Sequence, residues 1–174
     1  MLRKVLVLPI AAAALMLSPT LKANSGFETA SVLLQRVEAN AIDARHDAAR
    51  LKTFTRSPGL HSWQLHAAEL TQIKERVNEI GELMGEFKAI KDQASDRQNK
   101  AFNAAVSQAA ELAGVTEDAL KIVNQDKQKV EMAHPDYETK ITKIYDLSDH
   151  VVAAIGFAES WDEVVEARKT FSKN

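Results

Sequence analysis

The chain has 174 residues, 45% hydrophobic and 26% charged, with 22 Lys and Arg against 24 Asp and Glu and a formal net charge of −2 at pH 7. It contains no cysteine, which excludes disulfide frameworks, thiolate metal sites, cysteine nucleophiles and covalent CxxCH haem attachment. A slightly acidic balance with no basic stripe also excludes a general nucleic-acid binder, so no nucleic-acid partner is expected.

The first segment reads as an export signal. Arg3 and Lys4 precede an apolar run over residues 5–17, followed by Pro19 and small or polar residues toward Ala23 and Ser25. That is the charged, apolar and cleavage-region order of a signal peptide, and the run is too short to span a bilayer comfortably. The expected cleavage follows Ala23 or Ser25, since Ala23-Asn24-Ser25 has small residues at both ends. The predicted division is a signal peptide over 1–23 and one domain over 24–174, bound for the periplasm or the extracellular space. No cysteine follows the apolar run, so a lipoprotein anchor is not expected. Three of the 22 basic residues and no acid lie in 1–23, leaving 19 basic against 24 acidic side chains and a formal charge of −5. The chain closes on a polar stretch over 169–174, so no stable membrane span is expected once the signal is removed.

The domain reads as helical throughout. Phe27, Ala30, Leu34, Val37, Ala41, Ala44, Ala48 and Leu51 recur at three- and four-residue steps, which keeps them on one helical stripe. Ser25 with Glu28 forms a capping-box pattern for its start, and Ser57-Pro58-Gly59 stops it. The second helix carries His66, Leu70, Ile73, Val77, Ile80, Met84 and Phe87. The third starts at a Ser95 and Gln98 capping box and carries Phe102, Ala105, Ala109, Leu112, Thr116, Ala119 and Val123, until His134-Pro135 ends it. The fourth carries Tyr137, Ile141, Ile144, Ser148, Val151, Ile155 and Ala158. Gly114 and Gly156 each precede a fresh capping pattern, and Gly156 is the expected break. The predicted fold class is all-α: an up-down-up-down four-helix bundle of long helices, about 28 to 36 residues each, joined by short connections.

Ala41, Ala44, Ala48, Ala105 and Ala109 face inward, while Phe27, Phe54, Phe87, Phe102, Trp63 and Trp161 supply bulk toward the ends. This alternation predicts large-and-small core packing, with an apolar-ligand cavity as the sharper alternative. Val32, Leu33 and Ile42 lie off the first stripe and offer a face for a homodimer or an exported protein partner.

The candidate chemistry rests on five histidines. In an up-down-up-down bundle the first and third connections share an end, so His61 and His66 approach His134, with Glu131 one turn before it. Three imidazoles and a carboxylate suit zinc, copper or nickel. The bland reading places His61 in an exposed turn, His134 at a helix end and His66 as a hydrogen-bonded core residue. A di-iron bundle needs two ExxH motifs, and Glu131–His134 is the single instance. A b-type haem bundle of the cytochrome b562 kind would need a methionine on the first helix, which the domain lacks. The remaining haem pair, His46 and His150, lies off the apolar stripes. There is no GxSxG and no glycine-rich phosphate loop. The expected function is therefore an exported binding or structural protein rather than an enzyme. A His-rich metal-binding protein is the alternative, and a b-type haem-binding bundle stands behind both.

Overall fold

A computed structural model describes the backbone of residues 19–57 and 59–171 and the side chains of residues 29–57, 59–130 and 132–157. Most of the expected signal peptide thus lies outside the described residues. So do the side chains of Ala23, Ser25, Phe27, Glu131, Ala158 and Trp161, and all of Pro58.

The described chain is all-helical. Four long helices, α1 (Pro19–Thr55), α2 (Trp63–Ile90), α3 (Asp96–Gln125) and α5 (Pro135–Phe171), are joined by a 3-10 turn (Lys91–Gln93) and one short helix, α4 (Lys127–Glu131). Among the described residues no helix is long and apolar enough to cross a membrane.

Each long helix packs against two others: α1 against α2 and α5, and α3 against the same pair. Ion pairs fix the directions. Arg50 meets Glu69 at 3.0 Å and Arg36 meets Glu79 at 3.3 Å, so α1 and α2 run antiparallel. Lys140 with Asp118 at 2.9 Å and Lys143 with Glu111 at 2.5 Å do the same for α3 and α5. Arg45 with Asp149 at 2.6 Å, and the Lys52 ammonium 4.5 Å from the Tyr145 ring centre, set α5 against α1.

The stripes read from the sequence are the buried ones. Every described member of all four is in the interior. The core divides into two clusters along the axis. One holds Leu51, Leu70, Val123, Val130 and Tyr137, and the other Leu34, Met84, Phe87, Phe102 and Ile155. Phe87 stacks on Phe102 at 4.6 Å in the second cluster. Between the bulky ends lie Ala41, Ala44, Ala48, Ala105 and Ala119, all at 0% exposure. Those alanines belong to the buried core. Leu33 is 5% exposed and belongs to the core, whereas Val32 is 53% exposed.

The boundaries differ from the sequence expectation in three places: the start of α1, the end of the third helix and Gly156. The α1 backbone runs from Pro19 straight through Ser25, so the helix does not start at the Ser25–Glu28 pattern. Proline suits a first turn because its φ is already helical and its missing N–H has no partner to lose there. The third helix stops at Gln125 instead of His134. Asp126 is the cause: its N–H bonds Ile122 O at 2.8 Å to close α3, while its carboxylate accepts from Lys129 N at 3.1 Å to open α4. Gly114 does not break α3, and the Thr116 hydroxyl bonds back to Leu112 O at 2.8 Å rather than capping a new helix. Gly156, the expected break, lies inside an unbroken α5 of 37 residues, directly after the core residues Val151 and Ile155.

The Ser95 capping box is present in full. Gln98 N donates to Ser95 Oγ at 3.2 Å and Ser95 N to Gln98 Oε1 at 2.8 Å, and the Gln98 amide goes on to reach Ser31 Oγ at 2.9 Å.

Candidate functional site

Two places carry chemistry: the helix ends around His66, and a groove between α3 and α5.

His66 is the first residue of its stripe, in the first turn of α2, and Tyr137 lies in the first turn of α5. Antiparallel packing brings these two starts to one end, where His66 Nδ1 and Tyr137 Oη share a hydrogen bond of 3.0 Å. Both side chains are interior, at 2% and 0% exposure. Which partner supplies the bridging proton follows the imidazole tautomer. Burial, with the neighbouring His61 adding to it, lowers the His66 pKa to about 4. Burial likewise pushes the Tyr137 phenol up. Both groups are therefore neutral at pH 7 and closed to solvent, and the pair ties α2 to α5.

Phe54 links this pair to His61. Its ring stacks on His61 at 4.3 Å between centres and meets His66 edge-on at 5.5 Å. His134 stands at the same end, as the residue whose carbonyl opens α5 by accepting from Tyr137 N at 2.9 Å. Its imidazole turns to its own neighbour, with Nδ1 accepting from Asp136 N at 3.3 Å and lying 3.5 Å from the Asp136 carboxylate. The Glu131 side chain is outside the described residues. The structure thus gathers His61 and His66 around Phe54 and places His134 one turn from Tyr137. Among the described residues no three His, Asp or Glu side chains form a group able to hold a metal ion.

His134 follows the tight end of α4. His134 N bonds Lys129 O at 2.8 Å and Ala133 N bonds Val130 O at 3.1 Å, a Schellman closure with Ala133 at φ +48°. The short helix folds over the end of α2, where the Lys127 ammonium lies 3.9 Å from the Trp63 ring centre. His46 and His150 are exposed, on α1 and α5 respectively, and His150 faces the groove described next.

A half-buried charge network binds α1 to α2 on another side. The Arg50 guanidinium holds Asp47 and reaches Glu69 Oε2 at 3.0 Å. Burial raises the Asp47 pKa, Arg50 opposes that rise and Glu69 adds to it. One cation shared by two carboxylates is a structural tie between the helices.

The groove runs along the outer seam of α3 and α5 with a volume of about 860 Å³. Ala101, Ala104, Ala153 and Ala154 form its floor, because four methyl groups leave the seam shallow where longer side chains would fill it. Arg97 and Lys100 lie at the end nearer the start of α3, beside Phe157, with Gln108 and His150 at the other end. Phe157 is 69% exposed. Of these residues sequence reasoning singled out only His150, and that as a haem ligand. The available signal was the run of small residues one helical step off the α3 and α5 stripes, which becomes a groove only once the two helices are set side by side.

No protein-family model, no curated protein and no solved structure matches this chain.

Proposed function

We propose that the chain is an exported ligand-binding protein. In this reading residues 1–23 are a signal peptide cleaved after Ala23 or Ser25, and 24–174 form an up-down-up-down four-helix bundle released into the periplasm or outside the cell. The first described core residue is Ala30, so a cut after Ala23 or Ser25 leaves every described core position in place.

The observation that supports binding is the α3–α5 groove. An alanine floor with a largely exposed phenylalanine on its rim is an apolar surface left open to solvent. The buried His66–Tyr137 pair and the Arg50 network, by contrast, are satisfied within the fold. Two measurements test the reading. Expressed in a bacterium with an export pathway, the protein should be recovered outside the cytoplasm with Asn24 or Gly26 as its first residue. The neutral apolar dye Nile red should bind the recovered protein saturably, and Ala104→Trp should abolish that binding.

A zinc, copper or nickel centre using His61, His66, His134 and Glu131 is the second reading. It is favoured by one contact: Tyr137 holds His66 Nδ1 as the remote nitrogen of a metal-bound imidazole is commonly held. Zinc retained through desalting by the native chain, and lost in His66→Ala, would support it. A native chain that retains none ends it.

A further inference from the structure

We propose that the α3–α5 groove holds a single-chain anionic amphiphile, its head group beside Lys100 and its hydrocarbon tail along the alanine floor. The proposal rests on the groove being a binding site, and it names the ligand class.

Three features of the groove carry it. Its charge is one-sided: the described residues lining it include Arg97 and Lys100 and no carboxylate, in a chain whose acids outnumber its bases. Lys100 makes no ion pair or hydrogen bond with any described residue, so its ammonium is available to an incoming anion. Polarity is also segregated along the groove. The cations stand at one end, Ala104, Ala153 and Ala154 make the middle, and Gln108 and His150 close the far end, so an anionic head and an apolar tail find separate parts of the groove. Length agrees as well. From Lys100 to Gln108 the α3 axis advances about 12 Å at 1.5 Å per residue, room for an extended chain of about ten carbons with the end of a dodecyl tail at the rim.

A second copy of the protein fits this surface less well. A stable protein interface covers about 800 Å² per partner, far more than four methyl groups and one phenyl ring present. A cationic rim meeting the same cationic rim would also repel.

The test uses displacement of Nile red from the mature protein by three dodecyl compounds, each below its micelle-forming concentration: dodecanoate, dodecanol and dodecyltrimethylammonium. Dodecanoate should compete at least about tenfold better than the cation, with dodecanol between them. Lys100→Glu should cost dodecanoate about tenfold, and Lys100→Arg should retain it, while Nile red binds all three chains alike. Raised salt should weaken dodecanoate and leave dodecanol unchanged. Equal competition by the cation, or an unchanged dodecanoate affinity in Lys100→Glu, overturns the anionic assignment while leaving an apolar groove. Absence of saturable Nile red binding in the native chain overturns both readings. A dimer that Ala104→Trp dissociates, with no dodecanoate bound, overturns the proposal in favour of self-association. Lys100 and Ala104 are both exposed, so these variants should keep the native helical spectrum and melting temperature.

Discussion

Burial of His66, with His61 beside it, makes the fold acid-sensitive. The folded imidazole has a pKa of about 4, below its ordinary 6.5, so the unfolded chain binds the proton more readily. Its contribution to stability is complete above pH 6.5 and is lost as the pH falls from 6.5 to 4, a fall of about 3 kcal/mol at roughly 1.4 kcal/mol per unit. Urea unfolding across that range should show it, on top of whatever the carboxylates contribute. His66→Phe leaves the Tyr137 hydroxyl buried without a partner and should cost about 1 to 3 kcal/mol. Adding Tyr137→Phe removes the orphan, so the double variant should recover stability relative to His66→Phe and lose the slope between pH 4 and 6.5. A slope that survives in the double variant would assign the acid sensitivity to other groups. The sequence placed His66 on a stripe of apolar residues, which identified it as interior. It carried no sign of Tyr137, which is 71 positions away and arrives only when the starts of α2 and α5 meet.

At the scale of elements, the glycines inside helices weaken what packing holds together. Gly114 lies on an exposed face of α3, and a Cβ there meets nothing within 4 Å. Gly114→Ala should therefore stabilise by roughly 0.5 to 1 kcal/mol, through the smaller entropy of the unfolded chain and better helix propensity, read as a higher melting temperature. A loss of stability would mean that the helix is locally opened at this point. Ala133 is the opposite case. At φ +48° in the closure of α4 it bears the strain that a Cβ suffers in the left-handed region, roughly 1 to 2 kcal/mol. Ala133→Gly should give a net gain of about 0.5 kcal/mol after the added freedom of the unfolded chain is set against it. These boundaries separate what local pattern carries from what it does not. The Ser95–Gln98 box was legible because both bonds are made within four residues. Gly156 was misleading because a capping pattern is only a local option, and α5 runs through it to Phe171 without using it. Asp126 was overlooked because the stop was read at His134-Pro135, a stronger local signal than a single aspartate.

For the molecule as a whole, the sharpest contrast is between two adjacent alanines of α3. Ala105 is 0% exposed between the helices, whereas Ala104 lies exposed on the groove floor. Ala105→Leu should destabilise by about 1 to 3 kcal/mol through overpacking, while Ala104→Leu should stay within about 0.5 kcal/mol of the native chain. Equal effects in thermal unfolding would mean that the groove is closed in solution. The amino-acid order by itself determined the helical class, the four apolar stripes and the packing of bulky ends around a thin alanine middle. Each of these follows from the 3.6-residue period and from side-chain size, which are properties of a single helix. Tertiary structure alone decided that Gly156 stays helical, that His61, His66 and Phe54 cluster while the His134 ring turns to Asp136, and that a cation-rimmed groove opens along α3 and α5. Those features depend on the register and spacing between helices, which are set by how whole faces interlock rather than by any one segment.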